Sequence, residues 1–339
     1  MVASIEVNEP CGVTVTMRER ERGSGRKRGR SRGRAGEEEE VDDDRLHFSE
    51  LSAETLRWLQ HLSVAHGHVV LRGVCIVPGV GEQMDEGTVV SDSEIESARE
   101  AVASAAGLMG EVLEWGFGKV LTVRPAVDGA TTVTAFEPVI LHFDGVFWKV
   151  PSWQFFLCVT PPPVSAGAHT LFIHTAPLVA ALRIEAPDVY AWAACTTVAY
   201  FTPRHTYFGG SWMEFPLLAP HPHCADVEVL LAHEFIETPQ ALQPVEMKVV
   251  ASPTRHYSAD QDLYMLRALN SFVTDPRFTR HHVWRRGDIV LADNLGQLHG
   301  RSTFAAKVDR LLLRAHIGHP TEEEGASGAV AKKGRVEEV

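Results

Sequence analysis

Residues 284–304, WRRGDIVLADNLGQLHGRSTF, and residues 310–317, RLLLRAHI, decide how the chain is read. DIVLAD is a short apolar run ended by a turn rich in Asn and Gly, and it reads as a strand. RLLLRAHI alternates: Arg310, Leu312 and Arg314 share one face of a strand, while Leu311, Leu313 and Ala315 line the other. Upstream, KVLTVRP (119–125), FEPVILHFD (136–144), WQFFLCVT (153–160), HTLFIHT (169–175), TTVAYF (196–201), VEVLLAHE (227–234) and VEMKVV (245–250) have the same strand character, most of them bounded by Gly, Pro or Asp. A helix capped by Ser49 or Ser52 should run to about His61, before the buried strand HVVLRGV (68–74). Two more helices are expected, from Ser93 to about Leu108 and over about residues 260–272. Many short strands with a few helices outside them predict a mainly β fold, an antiparallel double sheet or barrel with helical support.

A chain of 339 residues that is 45% hydrophobic can bury a full core. Its formal charge of −12 makes it poorly built to hold a phosphate backbone, so nucleic acid is excluded as the main ligand. No apolar run is long enough for a membrane span, and no secretory signal is visible. Five scattered cysteines form no CxxC, which predicts neither a disulfide framework nor a zinc site and fits a reducing, cytoplasmic location. Residues 1–17 are expected to be a separate N-terminal segment, 18–45 a disordered charged linker, 46–319 the single domain and 320–339 a disordered tail. The linker joins a basic run, RERERGSGRKRGRSRGR, to the acidic EEEEVDDD. Like charges repel and nothing apolar offsets the entropy of ordering. A nuclear address or RNA-binding tail is the sharper reading of the basic half, but the acidic block can neutralise it in cis.

Two constellations carry chemistry. In LHFDG, His142 and Asp144 stand two apart on one face of a strand end, which makes two ligands of a chelate. His299 follows the DIVLAD strand and its turn, and supplies a third. Two His and one carboxylate leave three open positions on an octahedral ion, an arrangement suited to non-haem Fe(II), whereas a closed zinc site needs a fourth ligand. With 17 His in the chain, HxD pairs also arise by chance. The second constellation is the Arg310/Arg314 face, because two guanidiniums in an apolar strand need an anion: a protein carboxylate, or a small bound acid gripped by a bidentate fork.

LHFDG, AGAHTLF, the 284–304 stretch and RLLLRAHI resemble, in order and spacing, the TauD/TfdA (taurine dioxygenase) family of Fe(II)- and 2-oxoglutarate-dependent dioxygenases. The opening LSAETLRWLQHLSVAHGHVVLRG is similar to the family's first helix and strand. The resemblance implies a double-stranded β-helix (jelly-roll, cupin-like) core. It also implies that Fe(II), O2 and 2-oxoglutarate act together to hydroxylate or desaturate a small organic substrate, with release of succinate and CO2. It assigns His142, Asp144 and His299 as the iron ligands, Arg310 as partner of the distal carboxylate of 2-oxoglutarate, and Thr170 as its assistant. Arg314 corresponds to a second arginine that faces either the substrate or the cosubstrate. Family members usually carry two glycines before the Thr, where this chain has Ala166, Gly167, Ala168 and His169. Asp144 argues against a halogenating variant, which needs a small residue there.

WGFGKV, LHFDGVFW, WQFFLCVT and TYFGG…PLLAPHPHC are most similar to the dioxygenases associated with isonitrile biosynthesis, implying an amino-acid-derived substrate. Phe143, Phe147 and Trp148 are candidates for an apolar substrate wall, though aromatic residues near a strand end more often pack in the core. His205 and Tyr207 are candidate polar anchors. His221 and His223 read as a surface loop, Cys158 as a small core residue, and Asp293 and Asn294 as the shapers of the turn that presents His299. A non-catalytic jelly-roll protein sensing an acidic metabolite, a taurine-type catabolic dioxygenase and a zinc hydrolase are the competing readings.

Overall fold

The computed structural model describes residues 2–18, 46–76, 90–126, 134–146, 149–202, 211–237, 245–250, 257–305, 308–318 and 332–335. Two facing sheets form its centre. In chain order, their strands are β1 (Val2–Val7), β2 (Val13–Arg18), β3 (His68–Arg72), β4 (Val120–Val123), β5 (Val139–His142), β6 (Trp153–Thr160), β7 (Thr170–His174), β8 (Arg280–His282), β9 (Ile289–Asp293), β10 (Gln297–Arg301) and β11 (Leu311–Ile317). The larger sheet runs β1-β2-β3-β9-β6-β11-β4 and the smaller β8-β7-β10-β5. All neighbours pair antiparallel except β2 and β3. A further sheet, with Thr197–Thr202 and Ser211–Pro216 at its centre, lies beside them.

Side-chain alternation explains the layers. On β11, Leu311, Leu313, Ala315 and Ile317 join Phe155, Leu157 and Leu291 in a core. That core is covered by α1 (Ala53–His66) and α2 (Asp92–Gly107), which contribute Leu56, Leu59, Ala98 and Val102. Leu312 faces the other way, into the space between the sheets, with Phe156, Cys158, Phe172 and Val290. The outer face of the smaller sheet, Leu141, Ile173 and Leu298, packs on α3 (Thr175–Glu185), α4 (Pro187–Ala194) and α5 (Ala259–Val273). The interior between the sheets is therefore where polar residues of β5, β7, β10 and β11 must meet.

Four boundaries differ from expectation. Residues 1–17 are no separate segment: β1 and β2 form a hairpin that extends the larger sheet, and Val13, Val15 and Met17 alternate into its core at 0–2% exposure. The expected tail contains a strand, Lys332–Arg335, paired with Ser211–Pro216, while 319–331 and 336–339 lie outside the described residues. So does the charged linker from residue 19 to 45. Ser52 caps α1 as read, but the helix continues to Gly67, whose φ of 87° ends it. A Cβ on Gly67 would lie 2.6 Å from Gln297 Nε2, and its carbonyl accepts from the Asp293 amide, so this close approach seats the turn that leads to His299. Helix α2 starts one turn position earlier than read, capped by Ser91 with Glu94 in return. Helices α3 and α4 had no counterpart in the reading.

Candidate metal and cosubstrate centre

His142 ends β5, Asp144 follows it, and His299 sits mid-way along β10, directly across from His142 in the strand register. Their ligand atoms all lie within 4.8 Å of one another, and no other such His/Cys/Asp/Glu group occurs among the described residues. The two imidazoles are tilted with centroids 4.2 Å apart. His142 Nδ1 is 2.8 Å from the Ile140 carbonyl, which assigns a proton there and leaves Nε2 with a free lone pair. Burial, then the neighbouring His142, holds His299 well below the ordinary imidazole range, in the neutral form that ligates. Burial alone would raise Asp144, but Arg314 and the neighbouring imidazoles of His142 and His316 outweigh it and keep the carboxyl ionised, well below its usual range. Two imidazoles and one carboxylate suit a divalent iron, and the two-ring, one-oxygen donor set leaves room for a chelating partner.

Arg310 and Thr170 form a second cluster between the sheets. Arg310 Nη2 donates to Thr170 Oγ1 at 2.8 Å, and Trp284 Nε1 donates to the same oxygen at 2.8 Å. With two bonds accepted, the Thr170 hydroxyl still has its own proton to give. Arg310 is 2% exposed, its Nε has no partner, and it makes no ion pair with the described carboxylates. Burial, then Arg301, pushes its pKa down to about 9. A buried guanidinium in that condition is a site for an anion, and the distal carboxylate of 2-oxoglutarate fits it. The loop before Thr170 keeps a double-glycine geometry without the second glycine: Gly167 has φ 70° and Ala168, fully buried, has φ 56°. That left-handed alanine costs about 1–2 kcal/mol, which the Ala168 amide bond to the Thr303 carbonyl helps to hold.

Arg314 does not turn toward Arg310. Its Nη1 lies 2.7 Å from Asp144 Oδ2. Two residues absent from the sequence reading join it there. Gln154 Nε2 is 2.6 Å and His316 Nε2 2.8 Å from the same oxygen. His316 continues the Arg310–Leu312–Arg314 face, so the alternation that found the arginines also reached it. Gln154 had the weaker signal of one polar side chain inside the buried, apolar run Trp153–Val159.

Asn294 binds the two halves of the triad together, as the turn-shaping role anticipated. Its Oδ1 accepts from the Asp144 amide at 2.8 Å, and its Nδ2 donates to the Asp144 and Pro151 carbonyls at 3.0 and 2.9 Å. Asn294→Ala removes these buried bonds at once. It should lower the melting temperature by several degrees and weaken Fe(II) binding about 10- to 100-fold, measurable by thermal melts and metal titration. Asp293 Oδ1 accepts from the Leu295 amide within the turn at 3.2 Å, and its Oδ2 accepts from His221 Nε2 at 2.9 Å in a pair that is 0–1% exposed. His221 is thus no surface residue. His223 stacks on Trp153 with centroids 4.5 Å apart.

Of the substrate candidates, Phe143 is a core residue. Strand alternation sends it away from its ligand neighbours, and it packs edge-on against Tyr200, Phe215 and His233 at 1% exposure. Phe147, Trp148, His205 and Tyr207 lie outside the described residues. Cys158 is fully buried with its thiol pushed up by burial, as a core residue should be.

Comparison with known proteins then decides the family. The model described as taurine catabolism dioxygenase TauD, TfdA family matches residues 31–316. The chain belongs to the TauD/TfdA family. Tyrosine isonitrile desaturase of Erwinia amylovora is 29% identical to it over 276 residues, 81% of this chain and 84% of that protein. The 3-((Z)-2-isocyanoethenyl)-1H-indole synthase of Fischerella ambigua is 27% identical over 220 residues, 65% of this chain and 77% of that one. Among solved structures, PvcB of Pseudomonas aeruginosa, described as an Fe, alpha-ketoglutarate dependent oxygenase from an isonitrile synthetic pathway, superposes with a TM-score of 0.59. Its sequence identity is 25%, with coverage of 93% of this chain and 91% of PvcB. This TauD/TfdA protein is a 2-oxoglutarate-dependent non-haem iron dioxygenase with the jelly-roll core of its relatives.

Proposed function

We propose that this TauD/TfdA dioxygenase oxidises a small amino-acid-derived isonitrile, by desaturation or hydroxylation, as a step in secondary-metabolite biosynthesis. The observation that carries this reading is the agreement of the relatives: a tyrosine isonitrile desaturase, an isocyanoethenyl-indole synthase and an oxygenase of an isonitrile pathway all align along most of the chain.

His142, Asp144 and His299 hold Fe(II), while Arg310 and Thr170 hold the distal carboxylate of 2-oxoglutarate. When bound, the iron and its cosubstrate supply the oxidising chemistry, in which 2-oxoglutarate loses CO2 and becomes succinate. The chain orients the carboxylate ligand through Gln154, Arg314 and His316, and orients the Asp144–His299 pair through Asn294. Phe147 and Trp148 are assigned to the apolar wall of the substrate site, and His205 and Tyr207 to its polar end.

The test is substrate-dependent succinate formation by the iron-loaded chain. A tyrosine- or tryptophan-derived isonitrile should raise succinate release well above the uncoupled background and give a product lighter by two hydrogens or heavier by one oxygen. Stimulation by taurine, with no response to either isonitrile, contradicts the proposal and favours the catabolic reading.

A further inference from the structure

The two oxygens of Asp144 have different surroundings. Oδ1 lies 3.4 Å from the unprotonated His142 Nε2 and meets no donor among the described residues. Oδ2 is crowded, with Gln154 Nε2 at 2.6 Å, Arg314 Nη1 at 2.7 Å and His316 Nε2 at 2.8 Å. An ionised carboxylate only accepts, so the proton of the last contact sits on His316 Nε2.

The ring of His316 is itself held from behind. Its backbone carbonyl accepts from the Leu113 amide at 2.9 Å, and Trp115 packs edge-on against the imidazole, centroids 5.2 Å apart at 62°. Trp115 belongs to a tight turn closed by two bonds with Gly118, of 3.1 and 2.9 Å. Arg99 of α2 pins that turn by donating to the Val120 and Phe117 carbonyls at 3.0 and 3.4 Å. A continuous path of packed groups therefore runs from α2 to the outer oxygen of the carboxylate ligand.

We propose that His316, wedged by Trp115, is a positioning residue for the metal: it pins Asp144 Oδ2 so that the carboxylate offers Oδ1 alone to the ion held between His142 and His299. A carboxylate free to rotate could chelate through both oxygens and occupy one of the three positions that a bidentate cosubstrate and oxygen require. His316 and Gln154 prevent this by holding Oδ2 from two sides. The assignment rests on the metal site described above and is independent of which substrate is oxidised.

The experiment is titration of the metal-free, full-length chain with Co(II), read by its visible absorption and without turnover, for wild type, His316→Leu and His316→Gln. Glutamine places an amide N–H near the position of Nε2, and leucine does not. His316→Leu should weaken Co(II) binding about 10- to 100-fold and alter the absorption spectrum, while His316→Gln stays within about threefold of wild type. Thermal melts of the metal-free variants report the fold. If the leucine variant does not fold, His316→Asn, whose amide is too short to reach Oδ2, takes its place. Wild-type affinity and spectrum in the leucine or asparagine variant overturn the proposal, as does a glutamine variant no better than leucine. A wild-type chain that takes up no Co(II) overturns the metal assignment and this proposal with it, whereas failure of the isonitrile assay alone leaves both standing.

Discussion

Alanine in place of His142 or Asp144 is expected to cut iron-dependent succinate formation by about a thousandfold or more. The metal's contribution of several kcal/mol to the barrier is lost with its ligand, at about 1.4 kcal/mol per tenfold. The geometry makes the two variants informative together. His142 contributes an aromatic nitrogen opposite His299 across a β-ladder, and its removal leaves the Asp144 clamp intact. Removing the Asp144 carboxylate takes away the shared partner of Arg314, Gln154 and His316, and leaves a buried guanidinium without its carboxylate. Asp144→Ala should therefore also destabilise the metal-free fold by about 3 kcal/mol, and His142→Ala by less. Succinate release and thermal melts separate the two effects. Undiminished turnover in both variants would refute the assignment of the triad.

Arg310→Ala should raise the 2-oxoglutarate KM by about 30-fold or more with a smaller change in kcat, since losing one partner of a buried charge-assisted pair costs about 2–5 kcal/mol. In the proposed role Arg310 would hold the ground-state cosubstrate at its far end, away from the reacting carbon, so the loss falls on binding. A second effect follows from its isolation. In the absence of an anion Arg310 is a buried cation whose side-chain hydrogen bond among the described residues goes to the neutral Thr170, so 2-oxoglutarate should raise the melting temperature of wild type and not of Arg310→Met. The metal-free methionine variant should be at least as stable as wild type, because replacing an unpaired buried charge by an apolar side chain removes a desolvation cost. An unchanged KM in Arg310→Ala would contradict the anchor assignment.

Which parts of the centre were legible follows from the range of the interactions. His142 and Asp144 are two residues apart, and strand periodicity alone puts them on one face. Arg310, Arg314 and the overlooked His316 obey the same period on β11, yet a period says which face a residue joins and not what it meets there. The pairing of Arg314 with Asp144 depends on β11 lying beside β6 and facing β5, a relation set by the whole topology. Gln154 likewise lies 145 positions from His299, and His221 lies 72 from Asp293, and local pattern carries no trace of such contacts.

 The β1–β2 hairpin shows the opposite case. The alternation Val13-Thr14-Val15-Thr16-Met17 is plain, but the charged run that follows it hides the fact that it pairs with β3, more than fifty residues on. Helices α3 and α4 pack on each other, on α5 and on the hairpin of Leu218–His221 and Cys224–Leu230, so their apolar residues extend beyond a single stripe and blur the helical period.

The most direct test of the central claim is an anaerobic titration of the 2-oxoglutarate-loaded chain with Fe(II), followed by the visible charge-transfer absorption of an iron-bound 2-oxo acid. The account predicts a band that saturates at one Fe(II) per chain, disappears in Asp144→Ala and needs far more 2-oxoglutarate in Arg310→Ala. A band of full intensity in both His142→Ala and Asp144→Ala, or none in wild type, would contradict it.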